Sequence, residues 1–408
     1  MLGQHCCGLH GWLRCLSYAK GDFVTIIHSD MNCSNLLQKN EISFFEKVFC
    51  TNLTDQEIIS GKSNEKLKEG IKIISNELKP KAVLVLDSCM SLIIGEDTSL
   101  ALKEISSDIN IPIFHEKTSG LRFENPDEII DNVASFLFDY IYTNNKDKIL
   151  KKPKSINIFG FEYYGGVEKL SFFIDELAEY GIKVNTIVGP FSDIRLWEES
   201  LNAELNICFD KRLYKNVFSR YKEKLGTEVI EAPFPVGFKS TKEFIKLISE
   251  KLELDYLAMF KKNKEKLDEL EKYILEQKAI LKNKKIIYNI ASNLDFSTTN
   301  SAKGGLLMIN LFRELEMDIQ IFIQGNPEEH NRIKVEEGLR NLEIFENFMM
   351  LGHCGDAYKF FQNETNAIVY GSRLVKEQAE KYNLKFFDYY DFLPGFCKVK
   401  KNIEKMVQ

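Results

Sequence analysis

The feature that most constrains this chain is a repeated alternation. Short, nearly unbroken apolar runs rich in Val, Ile and Phe are followed by turns containing Gly or Ser, and then by segments with helical periodicity. The first third offers DFVTIIHSD at 22–30, KAVLVLD at 81–87 and IPIFHE at 111–116, with helical segments near 64–78, 96–108 and 126–142. The second third offers SINIFGF at 155–161, IKVNTIV at 182–188, LNICF at 205–209 and EVIEAPF at 228–234, with a helix near 166–180. The last third offers KKIIYNIAS at 284–292, DIQIFIQG at 318–325, NAIVYGS at 366–372 and LKFFDYY at 384–390. A strand that is apolar at every position has no face for water, so it belongs in a parallel sheet covered by helices on both sides. The pattern predicts three doubly wound, Rossmann-like α/β domains around a central cleft, over 1–150, 151–283 and 284–408. The charged stretch NNKDKILKKPK at 144–154 reads as a linker. The segment 241–285, dense in Lys/Glu pairs four residues apart, reads as an exposed connecting helix at the end of the second domain.

The bulk properties exclude some classes of function. A formal net charge of -6 gives no electrostatic reason to expect nucleic acid or an anionic membrane as partner. The longest apolar run, Ala82 to Gly95, is broken by Asp87 and is too short to span a bilayer. The opening MLGQHCCGLHGWLRC has polar residues where a signal peptide needs its apolar stretch. The expectation is a cytoplasmic protein. In a reducing compartment its nine cysteines serve as core fillers, reactive thiols or metal ligands rather than as disulfides.

Ligands of parallel sheets gather beyond the carboxyl ends of the strands. Three cysteines of the first domain stand at such places. Cys33 follows DFVTIIHSD through the turn MNC, and Cys89 follows KAVLVLD through Ser88. Cys7 sits in HCCGLHG, read as a glycine-containing loop ahead of the first strand. Neighbouring strand ends lie close together, so Cys33 and Cys89 are placed to converge, and a helix N-terminus beside each would favour thiolate over thiol. Thiolates on such loops are what iron–sulfur clusters require. The spacing is neither a C-x-x-C zinc pattern nor a ferredoxin run. A cysteine at a strand end also serves as a small core residue, so on geometry alone a metal site and a core role both stand.

Four stretches in order, CCGLHGWLRC, HSDMNC, TNLTDQEIISGK and DSCMSLIIGED, resemble the component 1 proteins of nitrogenase and their relatives. In that family three first-domain cysteines hold an iron–sulfur cluster at a subunit interface. The resemblance implies that Cys7, Cys33 and Cys89 are those ligands, to a 4Fe–4S cluster or a P-cluster-like 8Fe–7S cluster. Thr54, Asp55 and Gly61 fall in the intermediate block, and Gly95, Glu96 and Asp97 complete the last motif. Asn32 stands where the family has a glycine before its second cysteine. Cys6 competes with Cys7 for the first position; Cys7 is preferred because Gly8 follows it and its distance to Cys33 suits the family. Cys15 and Cys50 read as structural.

The resemblance also implies a second metallocofactor, held by a cysteine of the second domain and a histidine of the third. LNICFDKRLYKNVFSRYKEKLGTEVIEAPF makes Cys208 the equivalent cysteine, with a core role equally open to it. LKFFDYYDFLPGF places Asp388 where the family has histidine. A carboxylate is a harder ligand than imidazole, so dinitrogen reduction is not expected of this chain. His353 and Cys354 in LGHCGD read as surface loop residues or as lining of the same cleft. The sequence has no G-x-x-x-x-G-K-S/T phosphate loop, since SAKGG at 301–305 lacks the trailing Lys-Ser/Thr, so ATP chemistry would belong to a partner. The resemblance thus implies a subunit of a nitrogenase-like oxidoreductase, paired with a homologous second subunit in a homodimer, heterodimer or heterotetramer. A dimeric P-loop iron–sulfur ATPase reductase would supply its electrons, and a substrate or metallocofactor in the interdomain cleft would receive them. The alternatives are a scaffold for assembly of a nitrogenase-type metallocluster and a metal-free structural partner.

Overall fold

The computed structural model describes residues 7–33, 47–119, 126–161, 169–290, 308–324, 332–333, 336, 339–340, 343–351, 358–371, 375–388 and 391–407. These form an α/β protein with three sheets whose strand pairings are parallel throughout, as the apolar runs require. The first sheet contains β1 (Phe23–His28), β2 (Val48–Cys50), β3 (Ala82–Asp87) and β4 (Ile113–Lys117), in the order β2-β1-β3-β4. The second contains β5 (Lys152–Phe159), β6 (Lys183–Val188), β7 (Ala203–Cys208) and β8 (Glu228–Glu231), in the order β6-β5-β7-β8. The third contains β9 (Lys285–Ile290), β10 (Asp318–Gln324), β11 (Phe348–Leu351), β12 (Ala367–Gly371) and β13 (Lys385–Asp388), in the order β11-β10-β9-β12-β13. Each sheet starts in its interior, winds one way and then the other. The reversal leaves a switch point between β1 and β3, between β5 and β7, and between β9 and β12.

The first sheet shows why its strands read as unbroken apolar runs. All six residues of β1 and all six of β3 are buried. Val24, Ile26, Val83 and Val85 pack on one side against Leu67 and Ile71 of the helix Ser63–Leu78 and Leu102 and Ile105 of the helix Thr98–Ser106. On the other side Phe23 and Phe114 meet Phe136 of the helix Pro126–Asn145 at ring-centroid distances of 5.2 and 5.1 Å. Each aliphatic side chain buried in this way contributes about 1.5–3 kcal/mol against exposure.

The chain forms two compact units. One comprises Met1–Leu150 with Gly189–Leu201 and Tyr214–Glu223. Within it, the Trp197 indole donates to the Gly189 carbonyl at 3.1 Å, and the Asp131 carboxylate caps the helix Lys215–Leu225 by accepting from the N–H groups of Asn216 (2.7 Å) and Val217 (3.0 Å). The other unit comprises Lys151–Val188, Asn202–Leu213 and Lys224–Gln408 and contains the second and third sheets. These two sheets share one hydrophobic core, with Ile158 and Ile207 in the same cluster as Tyr288 and Ile321. The C-terminal helix Phe396–Val407 joins it, with Phe396 5.3 Å from the Phe238 ring and 6.0 Å from the Tyr180 ring.

Two local expectations are revised. The segment 241–285 holds three helices, Phe238–Lys251, Tyr256–Lys262 and Lys264–Leu281, rather than one exposed connector. In the last of them Leu267, Ile274 and Leu281, spaced seven apart, are buried beneath the Lys/Glu surface. The stretch 144–154 is mostly structured: one helix runs to Asn145, a 3-10 turn covers Lys146–Lys148, and β5 begins at Lys152. Among the described residues no helix is long and apolar enough to cross a membrane.

Candidate metal centre

Backbone hydrogen bonds stitch the turns beyond the four strand ends of the first sheet into one edge. The Ser88 N–H donates to His28 O (3.3 Å), the Thr118 N–H to Asp87 O (3.0 Å), and the Leu9 N–H to Thr118 O (3.0 Å). Across β1 and β2, the N–H groups of Thr51 and Leu53 donate to Ile27 O and Ser29 O, both at 3.0 Å. Cysteines therefore follow the edge from strand to strand. Cys50 ends β2, Cys33 follows β1, Cys89 follows β3, and Cys7 lies two residues from the Leu9 tether beside β4. Cys33 and Cys89 flank the switch point of this sheet, where the two crossover connections part and leave room for a ligand.

Each turn has its own local cause. Cys7 is the N-cap of the helix Gly8–Ala19 rather than part of a loop, because Leu9, Trp12, Leu13 and Leu16 lie on one buried face. Cys89 opens the helix Cys89–Ile94, whose N-cap Ser88 accepts from the Met90 N–H at 3.2 Å. Gly95 ends that helix at φ +69°, a conformation that strains any side chain. Asp97 then caps the helix Thr98–Ser106. Cys33 closes a turn ordered by Asp30, whose Oδ1 accepts from the N–H groups of Asn32 (2.9 Å) and Cys33 (3.4 Å). In the TNLTDQEIISGK block, Thr54 and Glu57 form a reciprocal capping box on the helix Asp55–Ile59.

Cys7, Cys33 and Cys89 are half-buried. Burial pushes the Cys33 thiol above its ordinary value, a hydrogen bond with Ser29 opposes this, and Asp30, Cys89 and Cys7 push it further up. Cys33 is thus within electrostatic reach of both Cys89 and Cys7. Cys50 is differently engaged: its Sγ donates to the carbonyls of Ser29 and Asp30, each at 3.4 Å. Among the described residues no three His, Cys, Asp or Glu side chains approach closely enough to share one metal ion. A cluster asks for a different arrangement, because each cysteine takes a different iron, and three cysteines along one half-buried edge suit that donor set.

Beneath the thiols lies a polar network that sequence reading missed. His28 is fully buried at the end of β1. Its Nδ1 is 3.3 Å from Thr51 Oγ1, and its Nε2 is 3.5 Å from Glu96 Oε2. Ser63 Oγ donates to the other oxygen of Glu96. Alongside, His115 Nε2 meets Asp87 Oδ2 at 2.9 Å and His115 Nδ1 meets Ser99 Oγ at 3.3 Å. Burial lowers the His28 pKa below the ordinary imidazole value, against the pull of Asp87 and Glu96. The only sequence signal was that His28 and Glu96 stand inside HSDMNC and DSCMSLIIGED, two of the four family-like motifs.

The residues expected at a second site lie in other surroundings. Cys208 ends β7 at 1% exposure, with its Sγ 3.6 Å from the Ile230 carbonyl. Burial pushes its thiol far above the ordinary range, and Glu231 adds to this. Such a group rests as a neutral thiol packed in the core. Asp388 ends β13, the edge strand of the third sheet; its N–H donates to Asp391 Oδ2 (2.7 Å) and its carbonyl accepts from the Asp391 N–H (3.0 Å). Cys6, His353, Cys354 and the SAKGG stretch lie outside the described residues.

Comparison with known proteins supports the family resemblance. The family model described as nitrogenase component 1 type oxidoreductase matches residues 7–388. The nitrogenase iron-molybdenum cofactor biosynthesis protein NifE of Methanococcus maripaludis is 20% identical, over 82% of this chain and 68% of its own length. The nitrogenase molybdenum-iron protein alpha chain of Methanosarcina barkeri is 24% identical, over 73% of this chain and 56% of its own. One of the subunits of the light-independent protochlorophyllide reductase of Prochlorococcus marinus is 26% identical, over 52% of this chain and 42% of its own. This chain therefore spans less than two thirds of the last two relatives. The solved structure of nitrogenase Cp1 at pH 6.5 shares the fold, with a TM-score of 0.60 at 14% identity over 98% of this chain and 92% of that one. With a family match running through all three sheets and the same fold in a solved nitrogenase structure, the chain belongs to the nitrogenase component 1 type oxidoreductase family.

Proposed function

We propose that this chain is a subunit of a nitrogenase-like oxidoreductase that holds an iron–sulfur cluster through Cys7, Cys33 and Cys89. The observation that carries the reading is the carboxyl edge of the first sheet, where backbone hydrogen bonds join the segments that bear Cys33, Cys89 and Cys7. When bound, such a cluster supplies reversible one-electron storage. The chain's own residues do the holding. Asp30 orders the Cys33 turn, Ser88 and Gly95 fix the two ends of the short helix that Cys89 opens, and the Leu9 tether on Thr118 fixes the start of the helix that Cys7 caps. Three thiolates leave cluster irons in need of further ligands, and a homologous second subunit supplies them. Exposed Met31, Leu92 and Ile93, beside Cys33 and Cys89, are apolar surface of the kind that another protein covers. The chain has no phosphate loop in its sequence, so the electrons come from a separate P-loop iron–sulfur ATPase and go on to a substrate or metallocofactor. A reducing cytoplasm keeps the thiols available.

A second reading is a scaffold on which a nitrogenase-type metallocluster is assembled and handed on. The NifE similarity over 82% of the chain favours it, as does Asp388 where the family resemblance implies histidine. In that reading Asp388 holds cargo that has to leave.

The test is strictly anaerobic purification with any adjacently encoded subunit, then iron and sulfide counts and EPR with and without dithionite. The expected result is iron and sulfide in comparable amounts and an EPR signal that dithionite switches. Protein free of iron overturns both readings. Repeated turnover with an ATP-hydrolysing reductase selects the enzyme, and a single stoichiometric transfer of metal selects the scaffold.

A further inference from the structure

We infer that His28 and Glu96 form a proton-accepting pair that takes up one proton when the thiol edge above it gains an electron, and releases it when the electron leaves. The inference rests on reading Cys7, Cys33 and Cys89 as cluster ligands. His28 sits where the two central turns meet. It ends β1 ahead of the Cys33 turn, and its carbonyl accepts the N–H of Ser88, the residue before Cys89.

The hydrogen-bond pattern assigns the His28 tautomer. The Thr51 hydroxyl donates to the Ser29 carbonyl at 3.0 Å, so its oxygen accepts from His28 Nδ1–H. That leaves Nε2 as a bare acceptor. It faces Glu96 Oε2, another acceptor, across 3.5 Å, and neither atom has a conventional hydrogen-bond partner. Glu96 is held in this position because its other oxygen accepts from Ser63. One proton between Nε2 and Oε2 converts a contact of two acceptors into a charge-assisted hydrogen bond.

The charged groups that face His28 are Asp87 at the end of β3, Glu96 after the Cys89 helix, and His115 on β4; the first two favour the imidazolium and His115 opposes it. Burial outweighs them and lowers the imidazole pKa below its ordinary value. A further negative charge on the nearby edge shifts that balance, since a buried site is weakly screened and an added charge there is costly unless compensated. The electron comes from a low-potential one-electron donor of the iron–sulfur reductase class, the proton comes from water, and both leave on oxidation.

The test is the midpoint potential of the dithionite-reducible EPR signal as a function of pH, in the full chain purified anaerobically with its accompanying subunit. The potential is expected to fall by about 59 mV for each tenfold drop in proton activity, the equivalent of one proton per electron. His28→Gln is expected to keep its iron and lose the slope. Glu96→Gln is expected to do the same, because its amide N–H donates to Nε2 and holds the ring neutral. It also serves as the deciding variant if His28→Gln fails to fold. A purely structural role would lower iron content or melting temperature and leave the slope intact. A flat potential in the iron-loaded parent, or a slope surviving in the folded variants, overturns this inference and leaves the cluster reading standing. Protein without iron overturns both.

Discussion

The first and second sheets share a strand order, and each has a cysteine at the carboxyl end of the central strand beyond its switch point, yet Cys89 and Cys208 have opposite surroundings. Cys89 is half-buried one residue past a Ser88 cap, at the start of a short helix, with Cys33 and Cys7 close enough to act on each other. Cys208 is 1% exposed, donates to the Ile230 carbonyl, and is held as a neutral thiol by burial. A position beyond a parallel strand is therefore only an opportunity. After β3 the chain turns at once into a helix start that leaves the thiol accessible. After β7 the cysteine is still the last residue of the strand, paired in register with Glu231 of β8, and its sulfur stays inside.

The comparison can be broken most decisively by metal content. Cys33→Ala and Cys89→Ala should each remove nearly all iron and sulfide from the anaerobically purified protein, and Cys208→Ala should remove none. The reverse outcome would exchange the roles of the two edges. Thiol chemistry offers the next largest contrast. In metal-free native protein, alkylation followed by peptide mapping should find Cys89 modified roughly tenfold or more faster than Cys208, which becomes reactive only on unfolding. Equal rates would mean that Cys208 is not the sealed core thiol described above. Stability should divide the pair in the opposite direction. Cys208→Ala should cost roughly 1–2 kcal/mol in urea unfolding, as deletion from a packed interior does, and Cys89→Ala in metal-free protein should stay within about 0.5 kcal/mol.

The smallest effect concerns the cap that follows β2. The Lys66 hydrogen bond, then the bonds from Thr54, hold the Glu57 carboxyl at about 2, below its ordinary 4.5. A carboxyl whose folded value is depressed adds stability above its unfolded value, and that stability is lost as pH falls from 4.5 towards 2. Thr54→Ala should lower stability at neutral pH by about 0.5 kcal/mol, the low end for an N-cap, and flatten the acid limb of the urea-midpoint profile. An unchanged acid limb would detach Glu57 from that cap.

Particular residues show what was legible. Strands β1 and β3 were readable because both of their faces are buried, and composition records that directly. β2 was not, because three residues, Val48–Cys50, carry no periodicity and the strand exists through its pairing with β1. The helix that Cys7 caps is masked in the sequence by its glycines, which lie among Leu9, Trp12, Leu13 and Leu16 and lower its helical propensity. Lys and Glu density hid the seven-residue spacing of Leu267, Ile274 and Leu281 in the same way. The turns bearing Cys33 and Cys89 were found from their place after apolar runs. Nothing local separated Cys89 from Cys208, because exposure depends on what other segments cover.

By itself the sequence determined the parallel α/β class and the family, since burial on both faces and the order of four motifs are written into contiguous residues. The tertiary structure alone decided which distant residues became neighbours. It brought turns after different strands to one edge, set His28 against Glu96, and sealed Cys208. Those outcomes follow from strand order and register, which set distance and burial through space, and no single stretch of chain encodes either.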